Sequence, residues 1–214
     1  MIKLRHILLL AISTHAMADL PLEIDVLPDK NDLTIELSAD YFNAYSANNT
    51  NQALGIRYGL TNDTEAYARA TSGDNATLGI NSKIFSGNDT TALLGFAELS
   101  KDKNKMVGLT AYLSNDPIVL STTTGIQRST TNDLWFINPA LGFAVNNEIS
   151  LSAGLNLNFI ESSATSNRAS QTQLELGMVY SVSKERTFSL KIQTDISDYT
   201  GSNISLKWLH KLNQ

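Results

Sequence analysis

The stretch ISLSAGLNLNFIES, residues 149–162, alternates between apolar and polar side chains over most of its length. Leu151 and Leu155 fall on one side of an extended strand, whereas Ser152 and Asn156 fall on the other. Successive side chains of a strand point to opposite faces, so the stretch predicts a strand with one apolar and one polar face. The apolar face meets a core in a soluble β-sandwich and lipid in a membrane barrel. The rest of the sequence has to distinguish these two folds.

The first residues have the pattern of a cleavable secretory signal peptide. Lys3 and Arg5 give a positive start, an apolar run follows, and Ala-Met-Ala at residues 16–18 has the small–x–small form of a cleavage site. We therefore predict export, with a signal peptide at residues 1–18, a leader segment at 19–31 and an outer-membrane β-barrel at 32–212.

Composition argues against several classes of function. The 16 basic and 21 acidic side chains give a net charge of -5, and removal of Lys3 and Arg5 lowers the basic count to 14. Without a basic patch, nucleic acid is not an expected partner. The chain has no cysteine, and His210 is the only histidine outside the predicted signal peptide. Because disulfides, thiolate metal sites and histidine-based hydrolysis need these residues, we predict no enzyme activity, catalytic residue, metal site or cofactor.

Strand candidates of about 10 to 14 residues follow one another between turn residues through the remainder of the chain. No apolar run reaches the roughly 18 residues of a transmembrane helix. The candidates number twelve: 32–43, 51–60, 64–73, 76–85, 90–101, 105–115, 117–128, 133–145, 149–162, 171–183, 186–198 and 203–212.

The connections between these candidates alternate in size. The tight ones include 61–63, 86–89, 146–148 and 184–185, and the longer or more polar ones are 44–50, 101–105, 128–133 and 163–170. Short turns on one side and longer loops on the other are typical of outer-membrane barrels. An even number of strands returns both termini to the periplasmic side.

Aromatic residues near the strand ends predict two interfacial girdles, as expected where a barrel crosses the two membrane surfaces. The outer set is Tyr41, Tyr45, Trp135, Phe136, Phe159 and Tyr199, and the inner set is Tyr58, Phe85, Phe143, Tyr180, Phe188 and Trp208. Three mid-strand aromatics, Tyr67, Phe96 and Tyr112, do not fit this pattern. The sequence predicts an all-β fold, an antiparallel transmembrane β-barrel of about 12 strands in the outer membrane.

Two hairpins carry a resemblance to a known family. ALGIRYGLTNDTEAYARATSG at 53–73 and NPALGFAVNNEISLSAGLNLNF at 138–159 resemble hairpins of small outer-membrane proteins of the MetA-pathway-of-phenol-degradation type, which are transporter-like barrels. The resemblance implies a barrel of twelve or a similar number of strands. It also implies a role in the transport of small, often hydrophobic, molecules.

If the apolar faces meet lipid, the remaining faces line a lumen with two unlike walls. The charged wall is predicted from strands one to four and ten to twelve, and its lumen-lining residues are Glu36, Asp40, Arg57, Glu65, Arg69, Lys83, Glu175, Lys191, Asp195 and Lys207. The other wall is small, polar and nearly uncharged, with Gly95, Thr110, Ser121, Thr123, Gln127, Asn138, Ser152, Asn156 and Asn158 among its members. Closure of the barrel would set strand twelve beside strand one and join the two groups of charges.

These charges either line a narrow pore that selects solutes or form networks that fill the interior. Barrels of eight strands are filled by side chains and those of 16 to 18 strands hold a channel, so twelve strands do not decide between the two. We predict a porin-like or transporter-like barrel that passes or binds small solutes, with outer-membrane lipid and a small-molecule solute as its partners. Two alternatives are a non-conducting, adhesin-like barrel whose outer loops bind a partner, and a soluble periplasmic β-sandwich.

Overall fold

A computed structural model of the protein describes residues 29–44, 47–73, 75–87, 91–115, 117–162, 168–196 and 201–212. The predicted signal peptide and most of the leader segment lie outside these residues. The described part of the chain contains no helix with the length and hydropathy needed to cross a bilayer. The strands are β1 (Leu33–Ala44), β2 (Ala47–Thr61), β3 (Thr64–Thr71), β4 (Ala76–Gly87), β5 (Thr91–Ser100), β6 (Lys105–Asn115), β7 (Ile118–Arg128), β8 (Asn132–Ala144), β9 (Ile149–Ser162), β10 (Arg168–Ser183), β11 (Arg186–Asp195) and β12 (Gly201–Leu212).

The twelve strands form one closed antiparallel barrel in which each strand pairs with its neighbours in the chain. The barrel closes where β1 pairs with β12 from Leu33 opposite Leu212 to Ala44 opposite Gly201. In lipid an unpaired backbone group costs several kcal/mol, so a spanning sheet needs such a closure. The predicted number of strands and the fold class are confirmed.

The strand bounds agree with the sequence prediction to within a few residues. The largest difference lies at the first outer connection, where the predicted loop at 44–50 is wrong. β1 continues to Ala44 and β2 begins at Ala47, because both strands extend in register and Asn43 pairs with Asn48. The connections between assigned strands are five residues or shorter. The two ends of the barrel therefore differ less in loop length than the sequence predicted.

Burial in this barrel is the reverse of burial in a soluble domain. Among the described residues, 23 polar or charged residues are buried and only six large apolar ones are. Large apolar side chains on the outward face are exposed, and Leu54, Leu78 and Val107 each expose more than half of their surface. A continuous exposed apolar face is stable against lipid and not against water. The soluble β-sandwich alternative is therefore wrong, and the apolar face of residues 149–162 is the lipid face.

The aromatic girdles are confirmed in most of their members. Trp135 and Phe159 are exposed near the outer ends of their strands, and Phe143 and Phe188 near the inner ends. Tyr45 and Tyr199 lie outside the described residues. The prediction for Phe136 is wrong: it is 1% exposed and faces inward, because β8 alternates with its even-numbered residues inside.

Two adjacent residues of β10 test the assignment of faces. Leu174 is exposed at mid-strand, whereas Gln173 faces inward opposite Asp195. Leu174→Arg places a charge in the bilayer at a cost of about 2–4 kcal/mol and should block assembly. Gln173→Arg, the matched control, places the same charge beside a carboxylate and should assemble. The measurement is the heat-shifted gel band of the folded barrel in membranes. Equal damage from both substitutions would contradict the assigned faces.

Candidate functional site

The ten predicted lumen-lining residues lie on the strands that form the charged wall, and the structure brings most of them into ion pairs. They come from strands β1 to β4 and β10 to β12, which are contiguous because β12 pairs with β1. Lys83 lies furthest toward the inner rim, where its Nζ is 3.9 Å from Asp63 Oδ1 in the turn between β2 and β3. The other nine form three ion-paired groups and two carboxylates held by neutral donors.

Glu36 is the centre of the first group and lies beside the closure of the barrel. Arg69 Nη2 donates to Glu36 Oε1, and Lys207 Nζ is 3.7 Å from Glu36 Oε2. Arg69 reaches Glu36 from two strands away because Gly55 lies between them. A Cβ built on Gly55 would lie 3.3 Å from Glu36 Cβ. One carboxylate thus joins β1, β3 and β12.

Arg57 and Glu65 form the second group in a bidentate ion pair. Arg57 Nη2 donates to Glu65 Oε1 at 2.6 Å, and Arg57 Nε donates to Glu65 Oε2 at 3.1 Å. Asn81 Nδ2 also donates to Glu65 Oε1 at 2.6 Å. Glu65 has no exposed surface, so its charge depends on these three donated bonds.

Glu175 is the centre of the third group. Lys191 Nζ lies 3.5 Å from Glu175 Oε1, while Gln193 Nε2 and Asn156 Nδ2 donate to Glu175 Oε2 at 2.6 and 3.1 Å. A buried carboxylate with one cation and two neutral donors has most of its lone pairs satisfied.

The two remaining carboxylates accept from neutral side chains. Ser205 Oγ donates to Asp40 Oδ1. Gln171 Nε2 donates to Asp195 Oδ2 at 2.8 Å. These contacts cross from one strand to a neighbour, so the charged side chains of the wall are held in local groups rather than as isolated charges.

Sequence reasoning missed the inward face of β5. Gly95 was expected inward, but a Cβ at Gly95 would lie 2.7 Å from Cδ1 of the lipid-facing Ile84. Phe96 and Glu98 face the lumen instead, and Tyr67 Oη donates to Glu98 Oε1 across β4. The sequence TALLGFAELS is apolar on both faces, so alternation does not fix its phase. Because β5 has this phase, Phe96 faces the lumen and Glu98 accepts a hydrogen bond from Tyr67 there. Phe96 and Tyr67, two of the three mid-strand aromatics, are therefore not part of the girdles.

Glycines on the inward face let these aromatic rings lie along the wall. Phe96, Gly108, Gly125 and Phe136 are directly opposed on four successive strands. The two rings stack over the glycines with centroids 6.5 Å apart. A Cβ on Gly125 would lie 2.6 Å from both Phe136 Cζ and the carbonyl oxygen of Val107. The rings therefore need glycine beneath them, and they cover the wall instead of crossing the lumen.

Chemically, the interior offers hydrogen bonds and paired charges. Within the described residues, no group of three or more His, Asp or Glu side chains is placed to hold a metal ion. His210 lies on the outward face of β12, where its ring stacks on that of Trp208. The arrangement is suited to solvating a polar solute in a narrow lumen.

The barrel is similar in shape to solved porins. The NanC porin superposes with a TM-score of 0.67 and 8% sequence identity, covering 83% of this chain and 100% of that one. The KdgM porin superposes with a TM-score of 0.63 and 7% identity, covering 84% and 99%. The fold is that of the outer-membrane porins. KdgM has also been solved in complex with disordered oligogalacturonate.

Sequence comparison adds no family to this porin fold. No protein-family model matches the chain. No curated protein matches it at a significant level. The comparisons therefore support a small outer-membrane barrel. They do not support membership of the phenol-degradation type that the two hairpins resemble.

The Arg57–Glu65 pair gives a test of the network. Glu65→Leu leaves the guanidinium of Arg57 buried without its carboxylate, and we expect the free energy of unfolding to fall by about 3–5 kcal/mol. The double variant Arg57→Met, Glu65→Leu removes both charges at similar volume and should recover most of this loss. Urea unfolding in lipid vesicles, followed by tryptophan fluorescence, measures both. An unchanged single variant would show that the pair does not support the folded barrel.

Proposed function

We propose that this protein is an outer-membrane pore for the passage of small polar solutes. The observation that carries the proposal is the inward face, which is polar but not fully satisfied by the protein itself. Asn138 Oδ1, Asn158 Oδ1, Gln171 Oε1 and Ser152 Oγ are buried and have no hydrogen-bond partner among the residues that the structure describes. Each such group costs about 1–3 kcal/mol when it stays unpaired. A lumen that admits water removes this cost, and a sealed interior does not.

The position of the long side chains also supports passage. Arg69 lies over Gly55 toward Glu36, and Tyr67 lies over Gly79 toward Glu98. Each is held against the wall by a partner two strands away. Side chains held in this way leave the axis of the barrel clearer than side chains that project across it.

The adhesin-like alternative has less support. A barrel that binds a partner through its outer loops needs surface there, yet the outer connections between assigned strands span at most five residues. An enzymatic role is not proposed, since both named structural neighbours are porins.

The lumen should discriminate weakly between small cations and anions. The predicted lumen-lining residues of the charged wall comprise five basic and five acidic side chains. The basic ones are Arg57, Arg69, Lys83, Lys191 and Lys207, and each lies within ion-pair distance of a carboxylate. Because the basic groups are ion-paired, neither sign dominates the field.

A planar bilayer measurement tests the proposal. The purified barrel should conduct in KCl, with a permeability ratio of K⁺ to Cl⁻ within about threefold of one. Gly79→Ala should lower the conductance, because its Cβ meets the Tyr67 ring and moves it off the wall. Gly73→Ala is the matched control, since a Cβ there has no neighbour within 4 Å. A folded wild-type barrel that does not conduct would contradict the pore and favour a closed surface protein.

A further inference from the structure

The interior carries a group of amide side chains, Asn138, Asn158, Gln171 and Asn203, which we call the amide cluster; the first two lie on the nearly uncharged wall and the other two on strands of the charged wall. The members of the cluster lie on β8, β9, β10 and β12. Asn158 and Gln171 are directly opposed on neighbouring strands. All four residues are at least nine-tenths buried. The amide cluster is thus part of the interior of the barrel.

Two members of the amide cluster use their nitrogen as a donor to the protein and keep their oxygen as an acceptor. Gln171 Nε2 donates to Asp195 Oδ2 at 2.8 Å, and Asn203 Nδ2 donates to Gln193 Oε1 at 3.3 Å. Gln193 in turn donates to the carboxylate of Glu175. An amide has its donors on nitrogen and its acceptor on oxygen, so an acceptor that takes a hydrogen from the nitrogen orients the amide oxygen away from itself.

Within the described part of the chain, the amide oxygens of all four cluster members have no hydrogen-bond partner. Gln171 and Asn203 are oriented by the bonds that they donate, and the oxygen of Asn158 lies on the strand beside Gln171. Acceptors without donors are complementary to hydroxyl groups. Water supplies such donors one at a time, whereas a polyhydroxylated solute supplies several on one frame. The second kind of ligand gains more from acceptors that are already fixed in place.

The basic residues of the lumen do not favour an acidic solute. Arg69 and Lys207 share Glu36, Arg57 pairs with Glu65, and Lys191 lies beside Glu175. A carboxylate-bearing solute would have to compete with these protein carboxylates for every cation. An uncharged solute has no such competition.

An apolar shelf adjoins the amide cluster. Phe136 is opposed to Asn158 in the register of β8 and β9, and its ring stacks on the half-buried Phe96. Flat rings beside fixed acceptors match a molecule that has an apolar face of C–H groups and a rim of hydroxyls. A sugar ring has this construction.

We propose that the amide cluster and the Phe96–Phe136 shelf form a binding site for neutral, hydroxyl-rich solutes of the sugar class. This inference rests on the proposed pore function, because the solute reaches the site through the lumen. The amide oxygens are buried in the structure, so water or a solute reaches them only when neighbouring side chains in the lumen move.

The experiment is single-channel recording in KCl with raffinose, a neutral trisaccharide, as the probe. Raffinose should interrupt the wild-type current in brief blocks. The double variant Asn158→Leu, Gln171→Met keeps side-chain volume but removes two acceptors, so the block lifetime should shorten about tenfold. Thr110→Val, the control, removes an inward hydroxyl that is already paired with Thr123. Its block lifetime should equal that of the wild type.

Each outcome has a distinct meaning. Loss of raffinose block with retained KCl conductance supports the site. If the double variant gives no heat-shifted band and is therefore not folded, the single variant Asn203→Leu repeats the test. Unchanged block in the variants would overturn the site while leaving the pore intact. Block by trigalacturonate and not by raffinose would overturn the neutral class. A changed permeability ratio of K⁺ to Cl⁻ in the variants, with raffinose block unchanged, would mean that the amide oxygens bind cations. That result would also overturn the sugar site. A wild-type barrel without conductance would overturn the pore and this inference with it.

Discussion

Closure of the sheet between β1 and β12 is the constraint on which the rest of the structure depends. A bilayer offers no hydrogen bonds to a free strand edge, so every strand must have two neighbours. Once the sheet is closed, the period of two along each strand sends one set of side chains to lipid and the other to the interior. The chain is therefore apolar outside and polar inside. The polar groups of the interior must therefore find hydrogen-bond or ion-pair partners within a small space. Glu36 is an example at the closure of the barrel, where it joins β1, β3 and β12.

The interior solves that problem differently on its two sides. On one side, buried charges pair with each other over short distances, and glycines such as Gly55 and Gly79 let partners two strands apart meet along the wall. Around the uncharged wall and on the strands next to it, the oxygens of the amide cluster have no hydrogen-bond partner among the described residues. The first arrangement stabilises the barrel without a net field. The second leaves amide oxygens that can accept hydrogen bonds from molecules that enter the lumen. We place the contact with solute at these oxygens.

Alternation made most of the fold predictable. Residues 149–162 and nearly all the other strands have a strong period of two, so their bounds and faces could be predicted from the sequence. β5 was misassigned because TALLGFAELS is apolar on both faces, and Phe136 because a run of four apolar residues hides its phase. The ion-pair partners were not predictable. Arg69 and Glu36 are 33 residues apart and meet only because the register places Gly55 between them.

The most direct test of the central claim, a wet polar lumen inside an apolar belt, uses the absence of cysteine from the chain. Single cysteines would replace Asn81, half-buried and inward, and Ile80, exposed on the lipid face beside it. The measurement is the rate at which each reacts with a membrane-impermeant, water-soluble thiol reagent in the folded, membrane-inserted barrel. A wet lumen predicts that the cysteine at 81 reacts and the cysteine at 80 does not. A barrel in which the cysteine at 81 stays unreactive until unfolding would contradict it.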